Sequence, residues 1–213
     1  MFVRGGYEYV KPDQVELPDE KLRGLFKRIY TVLNYDIGFP VLPLDILGKD
    51  SINNEIPFSE NVIKKTSIKT ENGDIGFVVL PSKIRDDHYV RINEIIERYR
   101  RNPEVFLVIA VSSLGAKKEN LLFEGHGFSP DILLGGGRGS GLRGRLKNDG
   151  ETLWVRPYPE GKSINFIRVF YPPKDGKNRK WIRGENVEFD VLLLRGENRD
   201  DPEVREIFSD DGW

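Results

Sequence analysis

At 213 residues the chain has room for one domain with a substantial core. Its 33 Lys and Arg against 34 Asp and Glu leave a formal net charge of −1, which sets nucleic acid and anionic membranes aside as default partners. There is no cysteine, hence no disulfide framework and no thiolate metal site, and no apolar run approaches the ~18 residues of a membrane span, so the expected setting is cytoplasmic, with no membrane partner.

The start, MFVRGGYEYV, lacks the apolar core and small-residue cleavage site of a signal peptide, and Phe2 to Val10 suits a strand with Gly5-Gly6 as a bulge or turn. Asp19 is placed to cap a helix whose apolar stripe would be Leu22, Leu25, Phe26, Ile29, Tyr30 and Leu33. An apolar, Pro-punctuated run follows from Ile37 to Leu47. Next, PFSENVIKKTSIKTENGDIGFVVLP reads as strand, turn, strand, with Asn72-Gly73 as the hairpin signal. A helix over 87–101 is expected, capped by Asp87 and buried along Ile92, Ile95, Ile96 and Tyr99, until Pro103 ends it.

Val105 to Val111 is a continuous apolar run, the mark of a parallel strand buried on both faces. It leads through Ser112-Ser113-Leu114-Gly115 to a short helix, Ala116 to Glu124, and then to a strand at Ile132 to Leu134. Ile75 to Leu80 and Ile132 to Leu134 should flank the central run. After Leu134 comes the loop GGGRGSG, then strands at Thr152 to Pro157 and Ile164 to Tyr171, joined by a turn around Gly161. Val187 to Leu194 should pair antiparallel with Ile164 to Tyr171. Asp200-Asp201-Pro202-Glu203 opens a last helix carrying Val204, Ile207 and Phe208.

The glycine-rich loop is the candidate site. Several backbone N–H groups can converge there, and Arg138, Arg143 and Arg145 stand nearby. The candidate anion- or ligand-binding residues are Ser112, Ser113, Gly135, Gly136, Gly137, Arg138, Gly139 and Ser140, for a small anion or phosphate. The plainer alternative is a turn that kept its shape and holds nothing. No Gly-Lys-Ser/Thr follows at Walker spacing. The histidines are His88, in a helix-cap setting on the surface, and His126, in a loop. Neither belongs to a metal motif, so no metal, no cofactor and no catalytic residue is expected. Trp154, Tyr158 and Trp181 could form a patch for a protein partner, with core or edge packing the other reading.

Taken in order, these stretches resemble the catalytic domain of the calcineurin-like metallophosphatases, 5′-nucleotidase branch. LNYDIGFPVLPLDILG keeps the frame of that family's helix end, strand and Gly-Asn-His-Glu motif, with Val41, Leu42 and Pro43 in the ligand region. The hairpin around Asn72-Gly73 resembles the family's next hairpin. Ser113 stands where Ser-His-Leu-Gly has its histidine, and Gly137 and Gly139 stand where the GGHSH loop has two more. Gly161-Lys162 resembles the later turn. The resemblance covers roughly Leu22 to Phe208, and the strands carrying Asp-x-His and Gly-Asp have no counterpart. It implies one domain over 1–213: an α/β sandwich of two mixed sheets flanked by helices, with the N-terminal motif strand missing. It also implies a degenerate, non-catalytic pseudoenzyme acting as a binding or assembly protein. The alternative is a phosphoesterase or 5′-nucleotidase-like hydrolase with a rebuilt or partner-completed site.

Overall fold

In chain order the elements are β1 (Val3–Arg4), β2 (Ile37–Gly38), β3 (Lys64–Thr70), β4 (Gly73–Val79), α1 (Asp86–Arg100), β5 (Val105–Val111), α2 (Ala116–Leu122), β6 (Ile132–Leu134), β7 (Leu142–Lys147), β8 (Thr152–Arg156), β9 (Ser163–Val169), β10 (Val187–Leu193) and α3 (Pro202–Asp210). The computed structural model describes residues 1, 3–4, 24–25, 28–29, 32–33, 35–39, 56–125, 127–158, 162–173, 179–196 and 199–210. Asp19, Val41 to Pro43, His126 and Gly161 lie outside the described residues, as does most of the stretch expected as a strand over Phe2 to Val10. The chain divides into two units, Met1–Phe58 with Leu194–Trp213, and Ser59–Leu193.

The first unit contains β1 paired in parallel with β2, and helical backbone at 24–25, 28–29 and 32–33. Leu25, Ile29, Ile37 and Phe39 are buried. Leu33, expected on the same apolar stripe, is exposed instead. α3 begins where expected: Asp201 Oδ1 accepts the N–H groups of Glu203 and Val204 at 2.9 and 3.2 Å, which satisfies two of the helix's orphan donors.

The second unit is built on a six-stranded mixed sheet in the order β3-β4-β5-β6-β8-β7. Strands β4, β5, β6 and β8 are parallel, and β3 and β7 run antiparallel at the two edges. β5 is central, flanked by β4 and β6 as its unbroken apolar run requires. The β3–β4 hairpin turns on Glu71 and Asn72, with Thr70 opposite Gly73, so Asn72-Gly73 is not the central pair. Gly73 opens β4 at φ +120, and Thr70 Oγ1 donates to Gly73 O at 2.6 Å.

One face of this sheet carries α1 and α2. Val78, Leu80, Val108, Ala110, Leu133 and Trp154 of the sheet pack with Ile92 and Ile96 of α1 and Leu122 of α2. Burying each of the Val, Leu and Ile side chains contributes roughly 1.5–3 kcal/mol. Tyr99, one turn beyond Ile96, closes onto Gly76, where a Cβ would stand 2.9 Å from its ring. Its hydroxyl donates to Thr66 O at 2.7 Å. Acidic Asp86 and Asp87 in the first turn of α1 and basic Arg98 and Arg100 in the last suit the helix dipole. The cap residue is Arg85 rather than Asp87: its N–H donates to His88 Nδ1 at 3.2 Å. His88 is therefore part of the helix cap, as its setting suggested, but it is fully buried and not on the surface.

The second sheet of the expected sandwich is not mixed. It is the antiparallel ribbon β9–β10, in register from Val187↔Val169 to Leu193↔Ser163. It lies by β7: Phe189 covers Gly144, and Asn165 Nδ2 donates to Leu142 O at 3.1 Å. β7 falls where the sequence suggests only loop. Arg143 and Arg145 thus belong to an edge strand, and Arg143 pairs with Asp190 of the ribbon at 3.1 Å. Trp154 and Trp181 are buried, so only Tyr158 of the three suggested patch aromatics is exposed.

Candidate functional site

β5 and β6 are parallel neighbours, so Ser112–Gly115 and Gly135–Ser140 both leave carboxyl ends of the sheet, where open parallel sheets gather ligands. The structure brings all eight candidate residues together. Ser112 N–H donates to Leu134 O at 2.9 Å, Gly115 N–H to Gly136 O at 3.0 Å and Ala116 N–H to Arg138 O at 2.8 Å. The approach is close enough to dictate residue type. At Gly137, φ is +77 and a Cβ would stand 2.6 Å from Ser113 O.

Within the group the exposures differ. Ser112 and Ser113 are buried beneath the glycine loop, and Ser112 Oγ accepts Leu114 N–H at 3.1 Å, a local turn bond. Arg138, Gly139 and Ser140 form the exposed tip. A hydroxyl role for the serines toward an external ligand therefore has less geometry behind it than a role for the tip.

Below the loop lies a polar cluster that the sequence did not announce. Glu119, on α2, is completely buried, and Arg156, at the end of β8, is 2% exposed. Arg156 Nη1 donates to Glu119 Oε2 in a buried ion pair. The same oxygen accepts Trp154 Nε1 at 3.0 Å, and Glu119 Oε1 accepts Gly136 N–H at 3.0 Å. The guanidinium directs its remaining donors to the loop: Gly136 O at 3.1 Å, Gly137 O at 2.9 Å, Arg138 O at 3.2 Å and Ser140 O at 3.2 Å. A lysine could not replace Arg156 here, because only a planar fork of five donors reaches that many acceptors from one position.

A trans peptide points its C=O and N–H in opposite directions. Carbonyls 136, 137 and 138 converge on Arg156, so the N–H groups of Gly137, Arg138 and Gly139 are turned away from the guanidinium. None of these three amides has an internal backbone acceptor among the described residues. The three amides therefore diverge from one another, so an anion at the loop tip would meet one of them together with the Arg138 side chain, and not the converging set of donors that the sequence suggested. It does not fit a two-metal centre. Ser113, Gly137 and Gly139 supply no imidazole, and the guanidinium of Arg156 already occupies the space that the loop carbonyls line. Among the described residues no three His, Cys, Asp or Glu side chains converge as metal ligands.

Sequence reasoning missed Glu119 and Arg156. The available signal was in TLWVR: Trp154 and Arg156 share one face of a wholly buried strand, and a buried arginine needs a buried acceptor. A scan of protein-family models and searches of curated proteins and of solved structures find no match for this chain.

Proposed function

We propose that this chain is a metallophosphatase-like domain that binds and assembles and does not hydrolyse, with a small anion or phosphate group taken at the tip of the glycine loop. The observation that supports this reading best is the exposed tip of Arg138, Gly139 and Ser140, held in place by the carbonyls that bond Arg156. The loop lies at the carboxyl end of the sheet, beside Ser112–Gly115. Each charge-assisted hydrogen bond there contributes on the order of 1.5–3 kcal/mol, enough for weak binding. Hydrolysis also needs an activated water, for which the loop offers neither a general base nor metal ligands.

The assembly side of the reading draws on the β9–β10 ribbon. Ile164 and Leu192 face each other across the two strands and are both about half exposed, with Phe166 next to them. Exposed apolar side chains grouped on one face favour a protein partner. The test of the ligand reading is calorimetric titration with phosphate, nucleotides and sugar phosphates, on the wild type and on Arg138→Ala. Loss of the Arg138 side chain should weaken binding by about 10- to 100-fold. Equal affinity in the two proteins, or no binding in either, removes the loop as a site.

A further inference from the structure

The opposite end of the same sheet holds a feature that the glycine loop does not explain. A cavity of about 280 Å³ opens where α1 leads into β5 and where the chain enters β6. This is just under the ~300–1,000 Å³ usual for small-molecule sites. Its polar wall is Arg100, Asn102, Asp131 and Arg179, and its apolar wall includes Phe106, Pro172 and Pro173.

Both carboxylate oxygens of Asp131 are in use. Asp131 Oδ2 accepts Val108 N–H at 2.6 Å and Oδ1 accepts Arg179 Nη2. Its role is to fasten the start of β6 to β5, and it has little left to offer a ligand. The cations are less well served. Arg100 gives Nη1 to Glu97 and Nη2 to Ser129 O; its Nε has no partner among the described residues but is closed off from solvent, so only the edge of the guanidinium can meet a ligand. Burial, followed by the like charge of Arg100, holds the Arg179 guanidinium down to about 10, against the pull of Glu97. Two guanidinium groups near one another on the wall of one cavity repel, and an incoming anion between them would offset that repulsion.

We infer that this cavity is a second binding site, for a small organic anion: a carboxylate or phosphate group on a compact apolar body. The charged group would meet Arg100 and Arg179, and the apolar body would lie against Phe106 and the two prolines. The site stands independently of the glycine loop, at the amino ends of β5 and β6.

The experiment uses the full chain and three probes: benzoate, phenyl phosphate and uncharged benzyl alcohol. Amide NMR shifts are followed during titration of the wild type. The two anions, or one of them, should move the amides of Asn102 and Glu104 to Val108, and benzyl alcohol should not; which anion does so distinguishes a carboxylate site from a phosphate site. Arg100→Gln should weaken the anion by about tenfold or more. If that variant does not fold, the wild-type shift map decides alone. Shifts confined to Gly137 to Ser140, no shifts at millimolar probe, or equal response to benzyl alcohol would each overturn the proposal.

Discussion

Replacing Glu119 by glutamine keeps the shape of the side chain and removes its charge. The carboxylate accepts three bonds, from Gly136 N–H, Trp154 Nε1 and Arg156 Nη1. Glutamine has one acceptor oxygen. If that oxygen stays with Trp154 and Arg156, an NH₂ group faces Gly136 N–H, and an unsatisfied buried donor costs about 1–3 kcal/mol. The guanidinium also loses its counter-charge in a site where Arg156 is 2% exposed. Breaking a buried pair costs roughly 3–5 kcal/mol, and the four carbonyls that still hold Arg156 place this case at the lower end. The expected loss is therefore about 3 kcal/mol, a large share of the ~5–15 kcal/mol by which a domain is stable. Urea unfolding followed by tryptophan fluorescence measures it, since Trp154 is a partner in the cluster. Glu60→Gln is the control, because the Glu60–Lys83 bridge is exposed and should contribute at most about 1 kcal/mol. If Glu119→Gln cost no more than the control, the buried network would not be what holds the loop.

Two further substitutions probe the same physics elsewhere. A Cβ at Gly135 would stand 2.1 Å from Glu119 Oε2 and 2.7 Å from Arg156 Cγ, so Gly135→Ala should cost about 1–3 kcal/mol by overpacking. Gly196→Ala, with nothing within 4 Å, should be near neutral in the same unfolding assay. At Tyr99, burial raises the phenol above its ordinary value near 10. The free chain then loses that proton at a lower pH than the folded chain, so stability should fall as pH rises above about 10. Thermal unfolding across that range should show a shallower fall in Tyr99→Phe; an identical slope would contradict the assignment.

Much of the second unit is legible in the sequence because its signals are local or nearly so. The apolar run of Val105 to Val111 can be satisfied only in the middle of a parallel sheet, and the stripe of Ile92, Ile95, Ile96 and Tyr99 fixes which face of α1 meets it. β7 is hidden because LRGRLK is charged, contains glycine and has no β-branched residue; edge position and pairing to β8 make it a strand. Glu119 is hidden for a different reason. In a short helix, AKKENLL, it reads as one more solvated charge, and its partners Trp154 and Arg156 lie 35 and 37 residues away. From sequence alone the loop glycines look like a means of exposing amides. Gly135 is there because a side chain would collide with the buried pair, and the amides that do face away are set by Arg156.

Binding without hydrolysis at the glycine-loop face can be checked by a phosphoesterase assay with p-nitrophenyl phosphate in which Mn²⁺ is titrated into the purified protein. The rate should stay at the metal-only blank at every Mn²⁺ concentration, because Ser113, Gly137 and Gly139 supply no imidazole to hold a metal ion at the loop. Turnover that saturates with both Mn²⁺ and substrate, and that disappears on chelation, would contradict it.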